Sequence, residues 1–310
     1  MKQTTNTILM IRPIRFRKNE QTAINNFFQE DLNLQNTEIN KKAQAEFDAY
    51  VFKLRSFGID VIVVDDTVEF NTPDSIFPNN WISFHENGTV GLYPMFAENR
   101  RLERREDILD ELEKKGFIIE NVLDYTSAEE ENIFLEGTGS IILDRVNRKA
   151  YCALSPRADE ELFIEFCEDF EYTPVIFTAN QTVNKQRMAI YHTNVMMCIA
   201  TTFAVICLDA IDDKKERKAV LKHLKEDGKQ IIEISEAQMH NFAGNMLQVH
   251  NKKEESFLVM SQAAYNSLNA SQLAKINNHS KIIASSLKTI ETCGGGSARC
   301  MMAEIFLPRI

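Results

Sequence analysis

The sequence predicts an α/β protein with mixed sheets, assembled from repeated units of about 55 residues. Three observations support this. Short apolar strand-like runs alternate with amphipathic helical stretches. The strands come in pairs between single helices rather than in strict βαβ order. Five similar segments recur at near-constant spacing. With 310 residues the chain can bury a substantial core as one large domain or two. No Pro-rich, Gly/Ser-rich or like-charge linker divides it, so a single domain over residues 1–310 is expected.

In chain order, strands are expected at Asp60–Val64, Thr89–Tyr93, Phe117–Val122, Ser140–Leu143, Ala150–Ala153, Pro174–Phe177, Thr202–Leu208, Gln230–Ile234, Met246–Val249 and Ser256–Val259. Helices are expected at Lys41–Phe57, Arg101–Lys115, Asp159–Phe170, Asp213–Glu226 and Ala270–Asn278. Their apolar residues fall at helical spacing, as with Leu102, Ile108, Leu109 and Leu112 among Arg and Glu. The cluster Arg100-Arg101…Arg104-Arg105, interleaved with Glu103, Glu106 and Asp107, reads as a solvated helix face rather than a phosphate-binding patch.

The repeat is a polar residue leading into an apolar run. Its five instances are Asn80-Trp-Ile-Ser-Phe, Glu136-Gly-Thr-Gly-Ser-Ile-Ile-Leu, His192-Thr-Asn-Val-Met-Met-Cys-Ile, Asn245-Met-Leu-Gln-Val and Cys300-Met-Met-Ala-Glu-Ile-Phe-Leu. From one leading residue to the next the steps are 56, 56, 53 and 55 residues. If each occupies an equivalent strand start, all five converge on one pocket. Chance spacing is the competing reading. Chemistry weighs against chance, because Cys, His and Glu together make a workable catalytic set.

Composition narrows the function. The formal net charge is -10, from 45 acidic and 35 basic residues. That is poor for binding nucleic acid or an anionic membrane, both of which need basic surface. The longest apolar run, Val195–Leu208, is too short to span a bilayer as a helix. Before Arg12 the chain has only a four-residue apolar stretch, so no secretory leader is expected. Six cysteines without a C-x-x-C pair suggest free thiols and a cytoplasmic location. A P-loop, an H-E-x-x-H motif and a Cys/His set at zinc spacing are all missing. Gly137-Thr-Gly-Ser lacks the third glycine of a dinucleotide loop, and a strand is expected to follow it. No cofactor or metal is implied, and a small-molecule substrate is left by elimination.

Each leading residue has a plain reading beside its chemical one. Cys300 follows Gly294-Gly-Gly-Ser-Ala-Arg, whose amides could polarise a carbonyl, and a thiolate there would be a strong nucleophile. A buried inert thiol is the stronger reading for Cys300 taken alone. His192 suits proton transfer near neutral pH, yet it equally suits a structural cap. Glu136 lies in an apolar setting that is costly for a carboxylate without a partner, and an imidazole would supply one.

Together, Leu-Glu136-Gly-Thr-Gly-Ser, Tyr-His192-Thr-Asn, the Gly-Asn245 segment and Gly-Gly-Gly-Ser-Ala-Arg-Cys300 resemble the guanidino-group-modifying (pentein) superfamily, from about Ile11 to Pro308. That superfamily includes arginine deiminases, dimethylarginine dimethylaminohydrolases and amidinotransferases. The likeness is greatest to bacterial amidinotransferase-like citrulline hydrolases. The resemblance implies a five-bladed α/β propeller of ββαβ units. It also implies that Cys300 is the nucleophile, that His192 protonates the leaving amine and activates water, and that Glu136 orients His192. Arg157 matches an arginine that pairs with a substrate carboxylate, with an exposed helix-start arginine as the alternative. Asp74, in the Pro-Asp segment, is expected to line the site, as are Asn79, Asn80, Asn194 and Asn245.

The chain departs from its relatives where guanidinium-processing members carry acids. Asn80, Asn79 and Asn194 stand at those positions. Burying a cation without its counter-charge is expensive, whereas an amide suits a neutral ureido group. Citrulline hydrolysis to ornithine, ammonia and carbon dioxide is therefore the expected activity. The alternatives are an arginine deiminase or amidinotransferase, and a silent amino-acid-binding member. Oligomeric state stays open, a homo-oligomer included. The segments Phe16–Asn40 and Met95–Arg105 are candidates for covering the site.

Overall fold

A computed structural model describes residues 2–310. Five three-stranded sheets organise it, and all follow one plan. The first strand pairs antiparallel with the second, and the second pairs parallel with the third. Four sheets run in chain order: Ile82–Phe84, Thr89–Leu92 and Asn121–Asp124; Ile141–Asp144, Lys149–Leu154 and Thr173–Thr178; Met197–Ile199, Phe203–Ile206 and Gln230–Glu233; and Leu247–His250, Ser256–Ser261 and Lys281–Ser285. The remaining sheet joins distant parts of the chain. Thr7–Arg12 lies between Asp60–Asp65, to which it is parallel, and Ala303–Glu304, to which it is antiparallel. In every sheet a helical connection links the parallel pair, because parallel strands need a long crossover.

The helices form for local reasons. Asn36–Ser56 buries Ile39, Ala43, Phe47, Tyr50, Val51 and Leu54, a single face at helical spacing. Glu160–Asp169 begins where the Asp159 side chain accepts the Leu162 N–H, and Lys214–Glu226 begins at Asp213, which accepts from Lys215 and Glu216. The first helix starts five residues before the expected Lys41, with Asn36-Thr37-Glu38 polar ahead of Ile39.

Two expected elements are corrected. Arg101–Lys115 is not one helix. It is a turn at Glu98–Arg101 and a helix at Asp107–Lys114, broken where Arg100 turns into the interior. The apolar run from Phe117 pairs in a sheet only at Asn121–Asp124. Phe117 instead bridges Arg309, and the Ile118 N–H donates to the Pro308 carbonyl. A hairpin of Asn180–Val183 and Gln186–Ala189 was not foreseen. Its turn places Asn184 and Lys185 at positive φ, the geometry that suits a two-residue hairpin. Among the described residues no helix is long and apolar enough to cross a membrane, and the six cysteines are all buried and unpaired.

Two neighbouring sheets are fastened by a charge. Lys229, its side chain fully shielded from solvent, lies 3.0 Å from Asp144 at the end of one sheet's first strand. Its ammonium also donates to the carbonyls of Ala200 and Thr201 in the next sheet's turn. Lys229→Ala strands a buried carboxylate and is expected to lower stability by about 3 kcal/mol in urea unfolding. Combining Lys229→Met with Asp144→Asn should recover most of that loss.

Candidate active site

Each of the five repeat-leading residues comes just before the first strand of its pairing. Asn80 and His192 adjoin single 3₁₀ turns, Pro78–Asn80 and Thr193–Val195. Glu136 precedes the one-turn helix Gly137–Ser140, which is too short for a dinucleotide loop and leads at once into its strand. Asn245 precedes Leu247–His250, and Cys300 precedes Ala303–Glu304. Glycine permits this crowding at two points. Gly137 has φ +44°, and a Cβ there would fall 2.6 Å from the Asn79 carbonyl. A Cβ on Gly139 would meet the His192 ring at 2.9 Å.

Glu136 and His192 are in contact. His192 Nε2 is 2.6 Å from Glu136 Oε2, while Glu136 Oε1 accepts the Phe96 N–H at 3.0 Å. Nη1 of Arg157 is 3.4 Å from Glu136 Oε2 and Nη1 of Arg100 is 3.9 Å from it. Burial alone would raise the Glu136 pKa, but Arg157, His192 and Arg100 hold it well below the usual carboxylate range. Burial lowers the His192 pKa to about 4, overcoming the pull of Glu136. The imidazole is therefore neutral at pH 7. A carboxylate partner requires N–H at Nε2, which leaves Nδ1 for proton exchange.

The Cys300 thiol is surrounded by amides. Asn245 Nδ2 is 3.2 Å and Asn194 Nδ2 3.4 Å from Sγ. Asn245 is fixed in turn, donating to the Asn194 carbonyl and accepting the Arg299 N–H. Two amide N–H groups are thus directed at the sulfur.

Cys300 and His192 line one small cavity with Asp74, Asn80, Arg100 and Arg157, its walls including Phe77, Tyr191 and Gly296. Its enclosed space has room for about one water. Thr22 and Asn26 close one side, and Asn26 and Gln29 donate to the Gly294 carbonyl. Both segments named as covers therefore reach the cavity, one through Thr22 and Asn26, the other through Arg100.

The remaining expected residues separate into groups. Asp74 is buried, and burial raises its pKa. Its Oδ2 accepts from Asn19 and Thr22, while Oδ1 has no partner. Arg157 is buried rather than an exposed helix-start arginine. Its guanidinium donates to Asn25 and to the Thr22 carbonyl as well as facing Glu136. Asn79 lies behind the cavity, accepting from Asn80 Nδ2, with its own Nδ2 buried and unpartnered. Asn194 and Asn245 touch the thiol without lining the cavity.

Arg100 was missed, and its assignment to a solvated face is wrong. It is 2% exposed, forms a two-pronged pair with Glu103, and donates from Nη1 to Asn80 Oδ1 at 2.7 Å. Nothing in a run of alternating charges distinguishes the one arginine that turns inward.

A family model described as N,N dimethylarginine dimethylhydrolase, eukaryotic, matches residues 12–307. No curated protein sequence matches the chain significantly. Among solved structures, apo ArgZ, an arginine dihydrolase from the ornithine–ammonia cycle in Cyanobacteria, superposes with a TM-score of 0.74 at 17% identity, over 98% of this chain and 41% of that one. AgrE in its ternary complex with ornithine and NAD+ gives 0.73 at 17%, over 98% and 40%. A dimethylarginine dimethylaminohydrolase adduct with S-methyl-L-thiocitrulline gives 0.65 at 15%, over 96% and 99%. The chain thus spans about two fifths of the ArgZ and AgrE chains. Identities this low carry over the fold alone.

A neutral buried His192 makes stability depend on pH. Its folded pKa lies below the ordinary value of 6.5, so its contribution is complete above that value and declines as pH falls toward about 4. Between pH 7 and pH 5, above the range where Glu136 titrates, the loss from this group is about 2 kcal/mol. His192→Gln should flatten the stability profile over that interval, measured by urea unfolding at each pH. An unchanged slope would contradict the assignment.

Proposed function

The chain belongs to the N,N dimethylarginine dimethylhydrolase family, within the guanidino-group-modifying enzymes of the pentein superfamily, and on that premise we propose that it is a cysteine-dependent hydrolase of a ureido amino acid, with citrulline as substrate. In this reading residues 1–310 act as one catalytic domain and the five sheets are the blades of an α/β propeller. The unpaired thiols support a cytoplasmic location.

Neutral His192 takes the Cys300 proton, and the sulfur attacks the ureido carbon. Asn194 and Asn245 stabilise the thiolate, and Glu136 orients His192 and balances the imidazolium. The bond from that carbon to the ornithine nitrogen breaks, and His192 returns the proton to the leaving amine. A carbamoyl thioester remains on Cys300. Water, giving its proton to His192, attacks the thioester and releases carbamate, which breaks down to ammonia and carbon dioxide. His192 then reprotonates the thiolate. Arg157 would receive the substrate carboxylate by exchanging its bond to Asn25 for the ligand.

One observation carries the choice of substrate. Arg100 donates to the Asn80 side-chain oxygen and Asn79 accepts one Asn80 N–H, so the second Asn80 N–H is the donor left for the cavity. Asp74 Oδ1 offers an unused acceptor. A ureido group supplies both complements, a carbonyl for Asn80 and N–H for Asp74. A guanidinium has only donors and would leave the Asn80 N–H facing N–H. The second reading, a guanidino substrate, draws on the family name, on the arginine-processing neighbours and on the Asp74 carboxylate.

Purified protein is expected to release ornithine fastest from citrulline when assayed against citrulline, arginine and dimethylarginine. Faster turnover of arginine or dimethylarginine would overturn the ureido assignment while leaving the hydrolase intact. Cys300→Ala should reduce turnover by at least about a thousandfold with an unchanged circular dichroism spectrum.

A further inference from the structure

A second cavity lies apart from the one that holds Cys300, and no residue lines both. It has about 400 Å³ of void space, with room for roughly two water-sized groups. Its polar lining comes from Gln3, Thr138, Arg145, Gln248, Arg299 and Glu304.

Nearly all of those polar side chains are already satisfied. Gln3 donates to the carbonyls of Leu143 and Ile199 and accepts the Arg145 main-chain N–H. Gln248 donates to Ser256 and Ser280 and accepts from Thr201. Thr138 donates to the Asn79 carbonyl. Arg299 donates to Glu304 at 2.8 Å and to the Met302 carbonyl, so this pair of charges cancels.

Arg145 is the exception. It is 3% exposed, and among the described residues no hydrogen bond or ion pair engages its guanidinium. The neighbouring Asp144 is committed to Lys229 and Asn147. Phe306 covers one face of the guanidinium, its ring centre 3.9 Å away, which leaves the N–H edge free. The charge is felt nearby, since burial together with Arg145 and Arg148 holds the His85 pKa well below its ordinary value. Its nitrogens keep slight access to solvent, and an anion in the cavity would supply the counter-charge that the surrounding side chains do not.

We propose that this cavity binds one small monovalent anion, a halide or a planar oxyanion such as bicarbonate or nitrate, on the free edge of Arg145. Glu304, in the same lining, disfavours a second negative charge.

The test uses the whole purified chain in sodium gluconate, a bulky and weakly coordinating anion. Gluconate is replaced stepwise by chloride, bicarbonate or nitrate at constant ionic strength, and Tm is followed. Wild type is expected to gain about 4 °C, saturably, at a hundred times the dissociation constant of the preferred anion. Arg145→Gln should lose that response, and the most effective anion separates a halide site from an oxyanion site. No saturable rise with any of the three, or an equal rise in Arg145→Gln, overturns the proposal. Should that variant fail to fold, wild-type crystals soaked in bromide decide it: an anomalous peak beside the Arg145 guanidinium supports the site, and an empty map there rejects it.

Discussion

Glu136 is a carboxylate with no exposure to water, and the site depends on keeping it ionised. Four groups do so: the His192 ring, the Phe96 N–H, and the guanidinium groups of Arg157 and Arg100. Both arginines have further attachments. Arg100 holds Asn80 and Glu103, and Arg157 holds Asn25 and the Thr22 carbonyl of the covering segment. The Arg157 carbonyl accepts the Glu136 N–H and the Ser140 hydroxyl. A single buried charge thereby fixes the proton carrier, the orientation of Asn80 and one wall of the cavity. Such networks are stable only when every member is satisfied, which makes the geometry narrow rather than adaptable.

Around that charge the chain uses neutral amides. Asn194 and Asn245 direct N–H groups at the Cys300 sulfur, and Asn80 is turned by Arg100 so that its donor side remains. An acid at any of these positions would present an acceptor instead, repelling a thiolate and attracting a cation. The proposed preference for a ureido group therefore rests on amide orientation as well as amide identity. That orientation is set by an arginine twenty residues further along the chain.

Much of the fold was legible because it repeats. The spacing from Asn80 to Cys300 located the start of five pairings, and alternating apolar runs located most central strands. What was not legible has physical causes. The hairpin around Asn184 is polar on both faces and carries no periodic signal. Residues 16–34 have no regular elements, yet Asn19, Thr22 and Asn26 are buried against the cavity through side-chain hydrogen bonds that leave no pattern in sequence. Arg100 and Arg145 are buried cations, and local composition does not distinguish them from their solvated neighbours. Cys300, His192 and Glu136 could be named from their motifs. That Arg100 commits the Asn80 carbonyl required coordinates.

In the proposed mechanism Cys300 carries the substrate's carbon between the two halves of the reaction. Protein mixed with citrulline, quenched in acid within the first turnovers and digested, tests it by peptide mass. A carbamoyl group is expected on the peptide containing Cys300, absent from Cys300→Ala and from the peptides of the other five cysteines. Turnover without any adduct on Cys300, or an adduct on another thiol that Cys300→Ala leaves in place, would contradict it.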